Sequence, residues 1–177
     1  MGKCKIQDKI AECKLCSFID KPPCIHRIYE RFLPSKVRIL VVSESPPPGR
    51  KPDYLYNLGH SDRLRSVLAR VFQVEQSQVV NELVNRGIFW TTAVKCRPPS
   101  KKYVEKMRRS CTWILEEEIR ELRPAKIVAL GKTAWKSLAE IKVEKAVIEK
   151  DYHPLYIARF KRECLENLRE KVLSILQ

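Results

Sequence analysis

The chain of 177 residues has no run of about 18 apolar residues, the length a membrane-spanning helix needs. Its opening stretch, MGKCKIQDKI, lacks the apolar centre of a signal peptide. These two absences exclude a membrane partner and lead us to expect a soluble protein that works inside the cell, in the cytoplasm and in association with the nucleoid. Low-complexity tracts and internal repeats are missing too, which excludes solenoid and fibrous architectures. Acidic residues are scarce: 21 Asp and Glu face 35 Lys and Arg, for a formal charge of +14 and a pI near 9.6. Such a surplus draws polyanions from a distance, so nucleic acid is the expected partner. Few Asn and Gln and 32% charged residues fit a heat-adapted surface, but heat adaptation alone does not unbalance the two signs. With 44% hydrophobic residues the chain can build one core and is too short for two ordinary domains, so one domain over 1–177 is expected.

Runs rich in β-branched residues alternate with helical patterns, the signature of an α/β domain with a mostly parallel sheet. Strands are expected at VRILVVSES (37–45), FWTTAVKCR (89–97), AKIVALG (125–131) and, more weakly, KAVIEK (145–150). After the first strand, PPPGRKPDYLYNLGH forms neither helix nor regular strand, because its prolines remove donors and restrict the residues before them. Ser61 is the expected cap of a helix in which Leu64, Val67, Leu68 and Val71 recur at helical spacing. A short helix is expected from Ser77 to Val84. A long one runs from about Tyr103 to Leu122, with Val104, Met107, Cys111, Leu115 and Leu122 on one stripe. KTAWKSLAE and residues 160–176 complete the helices. In a parallel sheet the loops at 44–57, 96–102 and 151–157 leave the carboxyl ends of strands and meet in one crevice, where ligands of such folds bind.

Seven cysteines inside a cell are not a disulfide framework, so their spacing is read for metal or catalysis. Cys13 and Cys16 form a C-x-x-C, Cys96 ends the second strand, and Cys111 lies in the helix that follows. Four thiolates suit either zinc or an iron–sulfur cluster. Cys111 also fits the bland role of a small core residue. Cys4, Cys24 and Cys164 are spare, with Cys24 in KPPC the best replacement for a wrongly chosen ligand.

CKLC near the start, VKCRPP at the end of the second strand, the cysteine fifteen residues on in RRSCTWILEEEIRELRPAKIVALGKTA, and the late HP turn together resemble the uracil-DNA glycosylase superfamily, closest to its iron–sulfur branch rich in thermophile proteins. The resemblance implies a three-layer α/β/α sandwich around a four-stranded sheet, with an N-terminal segment (1–36) that contributes cluster cysteines. It also implies a structural [4Fe–4S] cluster held by Cys13, Cys16, Cys96 and Cys111, with zinc as the alternative. The implied activity is hydrolysis of the N-glycosidic bond of uracil or another deaminated base in DNA, duplex or single-stranded, during base excision repair.

By that resemblance Glu44 and His153 are the catalytic pair. Glu44 would orient water or stabilise positive charge on the sugar, and His153 would stabilise the departing base. Ser45, Tyr56, Tyr54, Thr92 and His153 would hold the base, which must be extruded or already unpaired. Arg50, Lys51, Arg97, Ser100, Lys101, Lys132 and Arg159 would meet phosphates, and Leu155 and Tyr156, with Ile157, would wedge into the stack. Two departures stand out. SESPPPG replaces the family's Gly-Glu-Ala-Pro-Gly turn, and Thr92 stands where the family has an asparagine that reads the pyrimidine edge. A hydroxyl cannot offer a donor and an acceptor side by side as an amide does. The target base is then another base, or uracil read through the backbone of residues 44–46. A member that binds nucleic acid without catalysis is the alternative, and a monomer is the expected state.

Overall fold

The computed structural model describes residues 5–160 and, beyond them, Glu170, Leu173, Ser174 and Leu176. The helix expected over 160–176 and two of the spare cysteines, Cys4 and Cys164, lie outside the described residues, apart from Phe160 and those four isolated positions.

Three short helices, α1 (Ile6–Glu12), α2 (Pro22–Ile25) and α3 (Ile28–Arg31), precede strand β1 (Ile39–Ser43). Helix α4 (Arg63–Phe72) and α5 (Val79–Asn85), the latter entered through a 3-10 turn at Gln76–Gln78, lead to β2 (Ile88–Thr92). The long α6 (Val104–Leu122), β3 (Lys126–Leu130), α7 (Lys132–Ala139), β4 (Val147–Asp151) and α8 (Pro154–Phe160) follow. Among the described residues the strands form one sheet, ordered β2-β1-β3-β4 and parallel throughout. β1 and β2 are buried at every position, which is why ILVVS and IFWTT read as continuous apolar runs rather than alternating ones. The chain moves one way from β1 to β2 and the other way from β2 to β3. With right-handed crossovers, α4 and α5 therefore cover one face while α6 and α7 cover the other. The packing agrees: α6 lies against α1 and α7, and α4 against α5 and α8. The result is the expected three-layer sandwich.

Several boundaries differ from expectation for identifiable reasons. Asp62, not Ser61, caps α4, because its side chain accepts the Arg65 N–H at 2.8 Å and satisfies one of the helix's free donors. β2 ends at Thr92, where the threonine Oγ1 donates to the Val94 carbonyl at 2.7 Å and turns the chain out of the strand. Residues 154–160 form helix α8 and not an open turn. Pro154 fits the first helical position, and the His153 carbonyl accepts the N–H groups of Tyr156 (2.8 Å) and Ile157 (3.1 Å). Ile157 is consequently 1% exposed and packed in the core, which removes it from the proposed wedge.

Candidate functional site

The strand order reverses between β1 and β3, and the crevice beyond their carboxyl ends is the natural ligand site of such a sheet. Glu44 leaves the end of β1 directly into it. Its Oε2 accepts the Thr133 hydroxyl from the first turn of α7 at 2.7 Å, and its Oε1 accepts Lys101 Nζ at 2.8 Å. Partial burial pushes the carboxyl pKa up. The hydrogen bonds from Lys101 and Thr133, with the charges of Lys101 and His153, outweigh that push and hold it below the usual carboxylate value. Glu44 is an anion at neutral pH.

His153 enters the same crevice from the end of β4. Burial, helped by the Lys101 charge and opposed by Glu44, brings its pKa down to about 4, so the ring is neutral at neutral pH. Its Nδ1 accepts the Leu155 N–H at 3.2 Å, which leaves the proton on Nε2. The site thus pairs an ionised carboxylate with a neutral imidazole that has one N–H to donate.

Two adjoining cavities share Ser43, Ser45, Pro47 and His153 in their walls. The outer cleft, about 950 Å³, is bordered by Glu44, Lys101, Lys132, Lys150, His153 and Tyr156. The inner one, about 280 Å³, is lined by Tyr54, Tyr56, Trp90, Thr92, His153 and Leu155. Ser45 borders both, with its hydroxyl turned to the Pro46 carbonyl at 2.9 Å. Trp90 meets the His153 ring edge-on at 6.0 Å and is itself fixed by donating Nε1–H to Ser43 Oγ at 3.2 Å.

Tyr54 and Tyr56 sit in the aromatic core as well as on the pocket wall. The Tyr56 hydroxyl donates to the Trp90 carbonyl at 2.9 Å and accepts the Trp90 N–H at 3.1 Å, and its ring stacks on Phe32. Tyr54 stacks on His26. Both rings are fixtures of the pocket. The loop that carries them is held from beneath by buried Arg65, whose guanidinium donates to the carbonyls of Leu55 (2.8 Å), Asn57 (3.0 Å) and His60. Thr92 reaches the inner pocket with its hydroxyl hydrogen already committed to Val94, so it presents an acceptor oxygen.

The cations divide into two groups. Arg50, Lys51, Lys101, Lys132 and Arg159 are exposed. Arg97 is 3% exposed and belongs to the scaffold: it pairs with Asp20 at 2.9 Å and donates to the Pro47 carbonyl at 2.9 Å and the Asp53 carbonyl at 3.3 Å. It fastens the N-terminal segment and the first loop to the CRPP loop and does not reach a phosphate. Ser100 Oγ is shielded from solvent and lacks a hydrogen-bond partner among the described residues. Leu155 is half-buried over the inner pocket, whereas Tyr156 faces outward.

Sequence reasoning missed Trp90, Thr133 and Lys150. Trp90 carried a signal, as the aromatic in a strand whose end meets the crevice. It also missed Lys95, fully buried with Glu118 in an ion pair that also engages Thr91 Oγ1 (2.8 Å) and the Tyr29 hydroxyl (2.7 Å).

Cys16, Cys96 and Cys111 lie together beside Val94, Val104, Met107, Phe18 and Tyr103, whereas Cys13 packs against the main core. Burial first, and then the neighbouring Cys111, Cys16 and Cys13, push the Cys96 thiol far up, so that the four groups act on one another electrostatically. Soft donors in an apolar setting fit a cluster or zinc by their chemistry. Among the described residues, no group of three or more Cys, His, Asp or Glu stands close enough to hold a metal ion. None of the described helices is long and apolar enough to cross a membrane.

A type-5 uracil-DNA glycosylase of Pyrobaculum aerophilum is similar to this chain, with 38% identity over 56 residues, or 32% of this chain and 25% of that protein. The alignment therefore spans a quarter of that relative's length. The family described as the uracil DNA glycosylase superfamily matches residues 30–177, which include all four strands, Glu44, His153 and both cavities. With the parallel four-stranded sheet and the match over most of its length, the chain belongs to the uracil-DNA glycosylase superfamily.

Proposed function

We propose that the protein hydrolyses the N-glycosidic bond of uracil or another deaminated base in DNA. The observation that carries this reading is the pairing of an ionised Glu44 with a neutral, Nε2-protonated His153 at the shared wall of two adjoining cavities. The base enters the inner pocket between the aromatic side chains and the sugar stays in the outer cleft. As the C1′–N bond breaks, its electron pair leaves with the base, and the carbonyl oxygen that gains negative charge accepts the His153 Nε2–H. Glu44 faces the sugar, where it stabilises the developing positive charge and takes the proton of the water whose oxygen bonds C1′. A neutral imidazole suits this role because it is a hydrogen-bond donor that does not surrender its proton. Ser45, Tyr54, Tyr56 and Thr92 hold the base. Lys101 and Lys132, with Arg50 and Lys51, meet the phosphates, and the shielded Ser100 hydroxyl does not. Leu155 closes the inner pocket over the base, and the outward-facing Tyr156 meets the space the base leaves.

Cys13, Cys16, Cys96 and Cys111 are proposed to hold a [4Fe–4S] cluster, with zinc as the alternative. When bound, the group would act as a cross-link. The four cysteines come from the N-terminal segment and from both sides of the CRPP loop, so it would fasten the same segments that Arg97 already joins.

The second reading, a member that binds nucleic acid without cutting, is favoured by the Thr92 hydroxyl, which donates inward and leaves no side-chain amide to read a base. One assay separates the two. Oligonucleotides with a single uracil, hypoxanthine, xanthine or mismatched thymine are incubated with excess protein and then treated with alkali. Strand breaks at the modified base are expected, and intact strands on all four substrates would refute the enzyme reading.

A further inference from the structure

Tyr152, just before α8, and Tyr156 and Phe160 on it lie four residues apart and form a row facing outward. Tyr152 and Tyr156 stack at 5.2 Å and within 16° of parallel, and Phe160 continues the row at 5.1 Å with a tilt of 43°. All three are large aromatic residues that remain open to solvent, at 48%, 44% and 60% exposure. Exposed apolar side chains that adjoin one another, unlike ones scattered singly, are the kind of surface that marks a binding site.

Its position indicates the ligand. Tyr152 and Tyr156 border the outer cleft together with Glu44 and His153, so the row leads directly away from the proposed reaction centre. Cations line its course: Lys132 and Lys150 on the cleft wall, and Arg159 over the Phe160 ring at 5.1 Å. Two acids stand on the cleft wall: Asp151, whose carboxylate accepts the Tyr152 N–H at 2.6 Å, and Glu44, paired with Lys101. Flat π faces beside a cationic track are what unpaired bases and their phosphates require, whereas duplex bases keep their faces hidden. The run after His153 also lacks a free aliphatic wedge for opening a duplex, since Ile157 is in the core and Leu155 faces the inner pocket.

We propose that the Tyr152–Tyr156–Phe160 row is a stacking surface for unpaired bases next to the extruded nucleotide, and that the protein accordingly prefers single-stranded DNA to duplex. The inference rests on the glycosylase reading only for the direction in which the strand leaves the cleft.

The test uses undamaged DNA, so it stands or falls independently of catalysis. Fluorescence anisotropy compares a labelled single strand with its own duplex, at fixed low salt, for the wild type and for Tyr156→Leu, Tyr156→Phe and Phe160→Leu. Single-strand affinity should fall roughly tenfold for each ring replaced by leucine, stay near wild type for Tyr156→Phe, and leave duplex affinity much less affected. Unchanged melting temperatures exclude misfolding, and Tyr156→Phe supplies a folded reference if a leucine variant is unstable. An equal loss on both DNA forms, or no loss on the single strand, would overturn the proposal. So would a wild-type dimer, seen by light scattering, that dissociates in Tyr156→Leu while single-strand binding is retained, because the row would then be a surface for a second copy of the chain.

Discussion

Lowering the pH from about 7.5 to about 5 should leave the rate of base release almost unchanged. A histidine at its ordinary pKa would be mostly protonated at the lower value, but burial of His153 brings its pKa from 6.5 to about 4, and Glu44 is held below the usual carboxylate value. His153 therefore keeps its working state until the pH approaches about 4, and Glu44 stays ionised to below the usual carboxylate value. The same shift has a stability consequence with a definite sign. The unfolded chain binds a proton on this histidine below about pH 6.5, and the folded chain does not until about 4, so burial of neutral His153 favours folding fully above 6.5 and progressively less as the pH falls through that window. The distance from 6.5 to about 4 corresponds to about 3 kcal/mol, a large share of a small domain's stability. Two assays follow. Single-turnover release from a uracil oligonucleotide across the pH range should give an acid limb near 4, and urea unfolding of wild type and His153→Gln should show their stability gap changing by about 3 kcal/mol between pH 7 and pH 4. A break in the rate near pH 6.5, or a stability gap that does not vary with pH, would refute the assignment of a buried neutral imidazole.

Lys101→Ala removes a hydrogen bond and a charge that lower the Glu44 pKa, and a charge that lowers that of His153, so the acid limb of the pH–rate profile should move upward. Because Lys101 is exposed, the displacement should shrink in high salt, and the same profile at two salt concentrations checks it. Glu118→Gln leaves Lys95 fully buried without its partner and should destabilise the protein by about 3–5 kcal/mol in urea, whereas Lys95→Met with Glu118→Leu should recover most of that loss. Asp62→Ala removes the acceptor for the Arg65 N–H and should cost about 1 kcal/mol in the same measurement. Protein purified without oxygen should be brown, with an absorbance shoulder near 400 nm as expected for iron–sulfur charge transfer, and Cys96→Ser should abolish it. Colourless protein containing one zinc would favour the alternative ligand.

The sheet was legible because its strands are runs of β-branched residues buried on both faces, and the crevice followed from their parallel order. Glu44 and His153 came from the family resemblance, and the parallel order explains why both stand at that crevice. What escaped were properties that depend on three-dimensional partners. Arg97 stands in a loop among other cations, and only the positions of Asp20 and of the Pro47 and Asp53 carbonyls turn it into a buried brace. Glu118 reads as a surface acid in the run EEE, although it follows Cys111, Ile114 and Leu115 on the buried stripe of α6. Tyr54 and Tyr56 read as loop aromatics, and their hold on Phe32, His26 and Trp90 depends on contacts far apart in the chain. Helix α8 was hidden because an aromatic and β-branched run after His-Pro resembles an extended turn. The helix is specified by Pro154 at its first position, a local signal, and by packing of Ile157 and α4, which has no local signature.

The central claim is that Glu44 and His153 together break the glycosidic bond. Free base released from a uracil-containing single strand, measured with protein in excess for the wild type, Glu44→Ala, His153→Ala and the double variant, tests it most directly. The account predicts release by the wild type and a loss of about 100- to 1,000-fold in His153→Ala, the cost of removing one donor to a developing anion. It also predicts a clear loss in Glu44→Ala and a double variant at least as impaired as either. A double variant that releases base as fast as the wild type would contradict it.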